Sequence, residues 1–224
     1  ADMREWTANM FVEKVRTNVR EAMADSVLLL NTSSRTYIPF VELGETSEYY
    51  HHDMYHLLAS RSIEALTEID KFDLSQSKNV KLEIVPFYKN MISAYRKKED
   101  KEGILLASLD YLQWQNTTKY AEKPVPVQGL QAGIDLPENF YTAGLNELIT
   151  DYKSLEVCAE VYRAKANYAF WREQWVTALQ ICDEAIRLYP DYYRINILKN
   201  IRKNILCTSL SVDVSSSAYP GEKI

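Results

Sequence analysis

Glycine is scarce in this 224-residue chain, with six in all. Barrels and sandwiches need many tight turns, so this scarcity favours helices. Basic charge is short as well. Lys and Arg total 26 against 31 Asp and Glu, a net charge of −5, so there is no basic footprint and nucleic acid is not expected as a partner. No apolar run approaches the ~18 residues that a membrane-spanning helix needs. The longest cluster is Val27-Leu28-Leu29-Leu30. Three cysteines at Cys158, Cys182 and Cys207 are too few and too widely spaced for a disulfide framework or a zinc pattern. They read as buried free thiols on helices. The sequence also lacks Gly-x-Gly-x-x-Gly, Gly-Lys-Ser/Thr and Gly-x-Ser-x-Gly, so no nucleotide loop or nucleophile elbow is legible. No leader segment is visible. The start Ala1-Asp2-Met3 is compatible with processing, so compartment cannot be read from it.

Histidine is equally rare, and all three lie in one stretch, HHDMYH, as His51, His52 and His56. His52-Asp53-x-x-His56 is one methylene short of the H-E-x-x-H of zinc proteases. On a helix, His52 and His56 share a face. A zinc site needs a third protein ligand and a base against the bound water. Asp53 reaches that water poorly, and no further histidine exists. The plainer expectation is that Asp53 caps a helix start and that the histidines lie on a solvated, tyrosine-rich edge. Metal ligands and cofactors are therefore expected to be none.

What the chain has in quantity is apolar residues at helical spacing: 46% are hydrophobic, 25% are charged and sixteen are tyrosine. A first helix, capped by Asp2, carries Trp6, Met10, Phe11, Val15, Val19, Ala22 and Met23, and residues 31–35 break it. A second starts near Asp53 with Met54, Leu57, Leu58, Ile63 and Leu66 inward and Arg61 and Glu64 outward. Residues 70–78 read as a polar loop. A third helix spans about 82–97, with Pro86 in its first turn because an interior proline breaks the ladder. Phe87, Met91, Ile92 and Tyr95 face inward. A fourth spans 103–114. Residues 116–139 hold Pro124, Pro126, Gly129, Gly133 and Pro137 and read as non-helical. Helices are expected at 140–149, 154–171, 175–188 and 191–210. Neighbouring carboxylates such as Glu99-Asp100 and Asp183-Glu184 read as solvated faces.

The segment EVYRAKANYAFWREQWVTALQICDEAIRLYP fits one tetratricopeptide unit of about 34 residues closing at Pro190. Tyr162 takes the large first-helix position and Ala166 the small one. Ala178 and Ala185 take the second-helix positions, and Cys182 replaces an aromatic residue. Small residues at Ala166 and Ala178 let antiparallel helices approach closely. The expected fold is all-α, a right-handed stack of antiparallel helical hairpins. Aromatic residues crowd this end: Tyr162, Tyr168, Phe170, Trp171, Trp175, Tyr189, Tyr192 and Tyr193. Most serve packing, but Tyr and Trp are also preferred interface anchors, so Tyr162, Tyr168, Trp171, Trp175, Tyr189, Tyr192 and Tyr193 form the candidate interaction surface.

Past the last helix, Leu210, Val212 and Val214 alternate with polar residues, a strand signature followed by a Pro220-Gly221 turn. A lone strand is not stable. The expected organisation is a helical-hairpin domain over 1–210, subdivided near 116–139, with 211–224 opening a following β domain.

Three stretches carry a resemblance: DMYHLLASRSIEAL at 53–66, FYKNMISAYRKKEDKEGILLASLDYLQW at 87–114, and ALQICDEAIRLYPDYYRINILKNIRKNIL at 178–206 followed by LSVDVSSSAYPGEKI. Together they resemble the N-terminal helical region of large bacterial alpha-2-macroglobulin-like proteins. The resemblance implies a non-catalytic scaffold or protein-interaction region, not an enzyme. Its partners would be the downstream domains of the same polypeptide, or another protein or peptide. It also implies export, to the periplasm or cell surface, with a lipid anchor on the full-length protein. That family traps proteases through a bait segment and often a Cys-Gly-Glu-Gln thioester, and no cysteine here has that context. The alternatives are a tetratricopeptide-like glycan-binding lipoprotein and a metal-dependent hydrolase built on the HDxxH helix.

Overall fold

A computed structural model describes residues 7–37, 52–72, 77–121 and 140–207. Within them the protein is all-helical, with nine α-helices: α1 Ala8–Ala22, α2 Ser26–Asn31, α3 Met54–Phe72, α4 Ser77–Lys97, α5 Lys101–Ala121, α6 Phe140–Tyr152, α7 Ala159–Trp171, α8 Trp175–Leu188 and α9 Ile195–Leu206. Short 3-10 turns occupy Ser34–Tyr37 and Glu156–Cys158. None of these helices is long and apolar enough to cross a membrane. From α3 to α9 each helix packs on the next, wherever in the chain the connection falls, and α7 also packs on α9.

Two apolar cores share one helix. The first joins Val12 and Val19 of α1, Tyr55, Ala59, Ile63, Leu66 and Ile69 of α3, Ile84, Tyr88, Met91 and Tyr95 of α4, and Ala107 of α5. The second gathers Leu105, Leu106 and Leu109 of α5 with the inner faces of α6 to α9. Helix α5 serves both because two stripes run along it at helical spacing. Ile104, Ala107, Tyr111 and Trp114 face the first core. Leu105, Leu109 and Leu112 face the second. Such a helix has apolar residues nearly all round and is buried between layers. Each fully buried leucine on it contributes about 1.5–3 kcal/mol relative to exposure.

Two hairpin turns have the same geometry. Between α4 and α5, Glu99 adopts φ 55°, the Glu99 amide donates to Arg96 O and the Asp100 amide donates to Tyr95 O. Between α7 and α8, Glu173 adopts φ 59°, the Glu173 amide donates to Phe170 O and the Gln174 amide donates to Ala169 O. Both are left-handed helix stops with paired backbone bonds, with glutamate where glycine is usual. The shared three-residue turn relates the two hairpins more closely than their sequences do.

Several boundaries differ from the sequence expectation. Asp2 and Trp6 lie outside the described residues, and Thr7 caps α1, its Oγ1 accepting from the Met10 amide at 3.3 Å. Met10 and Phe11, expected inward, are exposed. Pro86 lies inside α4 rather than in its first turn. It sits on the exposed face, and Ile84, Tyr88, Met91 and Tyr95 hold the inner face in place, which offsets the missing amide. Helix α5 runs on to Ala121, so residues 116–121 are helical, whereas the rest of the expected loop, 122–139, lies outside the described residues. Helices α3 and α4 extend into the expected 70–78 loop. The last helix is shorter than expected and ends at Leu206. The strand expected at 211–224 lies outside the described residues.

Candidate functional site

The HHDMYH stretch builds a knot at the start of α3. Asp53 Oδ1 accepts the His56 amide at 2.9 Å, capping the helix, and also accepts the Tyr95 hydroxyl at 2.8 Å. Asp53 pairs by an antiparallel bridge with Ser33, and the Met54 amide donates to Thr32 O at 2.9 Å. The other half of the knot mirrors this. Asp100 Oδ1 caps α5 by accepting the Gly103 amide at 3.0 Å, and its Oδ2 lies 2.9 Å from His52 Nε2. Asp53 thus reaches Tyr95 in the last turn of α4, and Asp100 reaches His52 just before α3. His56 Nε2 lies 2.8 Å from Asp110 Oδ2 on α5. Asp53 therefore caps the helix as expected, but the solvated edge is corrected: His56 is 0% exposed. Its ring enters the gap between α3 and α5, where the Asp110 carboxylate meets it.

The two ring nitrogens that an HDxxH metal site would bring together are engaged by different carboxylates, Asp100 and Asp110. Among the described residues, no group of three His, Cys, Asp or Glu side chains is placed to hold a metal ion. Tyr95 sits with its hydroxyl on Asp53, and burial first, then that carboxylate, push its phenol well above the ordinary tyrosine value. It acts here as a fixed donor.

Within α7 to α9 a second buried carboxylate organises the packing. Glu160 is 1% exposed. Its Oε2 accepts from Arg163 Nε at 2.7 Å, and its Oε1 accepts the Tyr192 hydroxyl at 2.9 Å and lies 2.9 Å from the buried Arg194 guanidinium. A third node is half exposed. Glu184 Oε1 accepts from Lys153 Nζ and from the Tyr162 hydroxyl, both at 3.0 Å. The lysine contact chiefly lowers the Glu184 carboxyl below its usual range. Glu184 and Asp100 were read as solvated surface carboxylates, and both are instead tied to neighbouring helices. The reading of buried free thiols holds for Cys158 and Cys182 and is corrected at Cys207, which is exposed.

The aromatic candidates divide. Tyr162, Tyr189 and Tyr192 are buried in the second core, their hydroxyls held by Glu184, Lys153 O and Glu160. Tyr168 is half-buried, 4.9 Å from the Tyr141 ring and covered by the Arg172 guanidinium at 4.5 Å. Trp171 is 81% exposed, and Trp175 and Tyr193 are about half exposed. Phe170 stands edge-on between the tryptophans, 5.9 Å from Trp171 and 4.9 Å from Trp175. Tyr193 belongs to the α8–α9 connection, at the other end of α8. The 14 residues of that helix put it roughly 20 Å from the tryptophans. The structure therefore brings Trp171 and Trp175 together and leaves Tyr193 apart.

Sequence reasoning missed two further exposed apolar residues, Val176 beside Trp175 and Leu206 at the end of α9. Val176 is 70% exposed and Leu206 is 53% exposed. Val176 joins Glu173, Gln174, Trp175 and Thr177 in lining a shallow open depression at the start of α8. Val176 lies opposite Ala178, Ile181, Cys182 and Ala185 and so breaks the amphipathic rule of α8, the signal that was available, whereas Leu206 continues the apolar stripe of Ile195 and Leu198 and gave none.

No family model matches the chain. A search of curated proteins finds no match. No solved structure matches either.

Proposed function

We propose that this chain is a non-catalytic helical scaffold, the N-terminal interaction region of a larger exported alpha-2-macroglobulin-like protein. The observation that carries the scaffold reading is the division of labour among its conspicuous residues. The polar groups that resemble catalytic machinery are spent on packing: Asp53 and Asp100 cap helices, His56 pairs with Asp110, and Glu160 binds two arginines. Exposed apolar and aromatic side chains gather at the α7–α8 hairpin turn, on Trp171, Trp175 and Val176, while Val27 and Leu28 of α2 also face outward. Aromatic anchors on a stiff support suit a protein interface. The assignment to the macroglobulin-like class rests on the three resembling stretches and on the alternating residues at 210–214. In this reading, hairpins stacked as in tetratricopeptide arrays hold the downstream domains in place.

The reading frame beyond Ile224 tests the proposal. Sandwich domains of about 100 residues each are expected there. A catalytic domain, or a second helical array, would sink the assignment. A second reading has one observation in its favour: Trp171 and Trp175 offer open ring faces suited to sugar stacking. Titration with a panel of oligosaccharides, followed by tryptophan emission, separates it from the first.

A further inference from the structure

We infer that the outer face of α9 docks an extended acidic segment of a partner polypeptide, with a row of asparagines taking the partner's backbone and two lysines taking its carboxylates. This rests on the reading of the chain as a protein-interaction region and gives that reading a face and a partner chemistry.

Four observations carry it. First, α9 is built on a four-residue repeat: Asn196-Ile197-Leu198-Lys199, Asn200-Ile201-Arg202-Lys203, Asn204-Ile205-Leu206. Residues four apart line up as rows along a helix, so asparagine and lysine each form one. Ile195 and Leu198 are buried, Ile201 and Ile205 pack against the second core, and by that side α9 lies on α7 and α8. Asn196, Lys199, Asn200, Lys203 and Asn204 make the opposite side, and all five are exposed. Second, that side is charged one way. The chain carries a net −5, yet it has no acidic residue from Tyr192 to Cys207. Arg202 is answered by Asp183 at 2.6 Å. Among the described residues, Lys199 and Lys203 make no ion pair. Third, the asparagines do not serve the helix. Asparagine is a poorer helix former than alanine, lysine or glutamine, because its short amide competes for nearby backbone groups. Among the described residues, none of these three amides makes a hydrogen bond. A row that weakens its own helix and makes no internal contact is the kind of local conflict that binding faces carry. Fourth, the spacing fits. Successive asparagines rise about 6 Å along the helix, and an extended chain repeats every two residues at about 6.6–6.8 Å. Over the whole row the two fall out of step by only about 1.5 Å. Each amide offers a donor and an acceptor, as a peptide unit does, whereas a phosphate or sulfate chain offers acceptors alone. Lys199 and Lys203 repeat at the same step, so carboxylates two residues apart on the partner meet them.

The probe is a fluorescein-labelled dodecapeptide of alternating threonine and glutamate, titrated with the full chain and followed by anisotropy. The expected result is saturable binding that weakens at least about tenfold from low to high salt, with no binding of the threonine–lysine counterpart. Lys199→Glu/Lys203→Glu should lose at least about tenfold in affinity, and Lys14→Glu/Arg20→Glu on α1 should lose none. The asparagine row has its own readout. Asn196→Ala/Asn200→Ala/Asn204→Ala should melt at the same or a higher temperature, yet bind the peptide at least about fivefold more weakly. A parent chain that does not bind the acidic peptide overturns the inference. So does an asparagine variant that binds as well as the parent. Polyphosphate that competes with the peptide charge for charge overturns it too, because the face is then an unselective anion surface. The scaffold reading is tested separately by the reading frame past Ile224, and its failure there would leave this titration unchanged.

Discussion

Replacing Gly103 with alanine pits two effects of opposite sign against each other. Gly103 lies in the first turn of α5, and in an ordinary helix the change gains about 1 kcal/mol from propensity. Here the added Cβ would sit 2.6 Å from Cγ and 2.8 Å from Cε1 of Tyr95, a ring that is 0% exposed and cannot swing into solvent. Overpacking of this kind costs about 1–3 kcal/mol. If the ring moves away, its hydroxyl leaves Asp53, and a buried carboxylate loses one of its two donors to Oδ1, at about 1–3 kcal/mol more. The clash and the lost bond together outweigh propensity, so a net destabilisation of roughly 2–4 kcal/mol is expected. Urea unfolding followed by circular dichroism measures it. The Tyr95→Phe variant isolates the hydroxyl, and Gly103→Ala on that background should lose only the packing part. A Gly103→Ala chain that unfolds at higher urea than the parent would refute the reasoning. It would mean that α5 and Tyr95 do not approach closely enough for the glycine to be required.

The remaining predictions concern buried charge, thiols and histidine. Glu160→Gln should destabilise by about 3–5 kcal/mol, because it removes the buried charge that Arg194 and Arg163 face, and the same urea titration reads the loss. A thiol reagent applied to the native chain should modify Cys207 alone, with Cys158 and Cys182 reacting only after unfolding. Burial pushes the Cys182 thiol from 9.0 up to about 11, and burial also raises Tyr88, Tyr95, Tyr189 and Tyr192 above the ordinary 10.0. These groups stabilise the fold while neutral. Their contribution is complete below about pH 9 and is lost as pH rises through the folded values, so melting temperature should fall steadily above pH 9. Glu184, lowered from 4.5, contributes stability above that value that is lost as pH falls through its folded value. His52→Ala should cost little and His56→Ala about 2 kcal/mol or more, since only the second opens a buried cavity and removes a buried contact to the Asp110 carboxylate. Elemental analysis of the same proteins should find no zinc that disappears with His52.

The helices were legible wherever one face is buried and the other wet. In α3, Leu57, Ile63 and Leu66 repeat at helical spacing with Arg61 and Glu64 opposite, and the structure places each on the expected side. The Trp175 start and Leu188 end of α8 were legible for the same reason, reinforced by the turn before and Pro190 after. The double role of α5 was not. Its two stripes overlap in sequence, and periodicity alone does not tell which core each faces. Pro86 misled because the rule against interior proline weighs one missing amide, whereas α4 is held by four buried side chains on the opposite face. The polar pairings were the least legible part. Nothing local links His56 to Asp110 or Tyr192 to Glu160, since the partners lie 54 and 32 residues apart.

That separation bears on function. A motif such as HHDMYH attracts attention because its residues are adjacent, yet its chemistry is set by what the fold brings against them. Asp53 receives two donors on one oxygen, His56 meets a carboxylate inside the protein, and His52 is tied to a helix cap. The His56 amide bond caps α3 itself, and the other contacts join the α3 start to α4 or α5, so removing one loosens a helix end or interface rather than a reaction centre. Trp171 is the opposite case. It touches Phe170, it is 81% exposed, and no described helix needs it for packing. A large aromatic left outward on a rigid turn costs solubility without adding stability. Its outward position suits a contact made beyond the helices described, and Trp171→Ala, expected to leave the unfolding free energy within about 0.5 kcal/mol of the parent, tests whether the ring stands outside the core. If the substitution destabilises the chain by several kcal/mol, the ring belongs to the core and the surface reading fails.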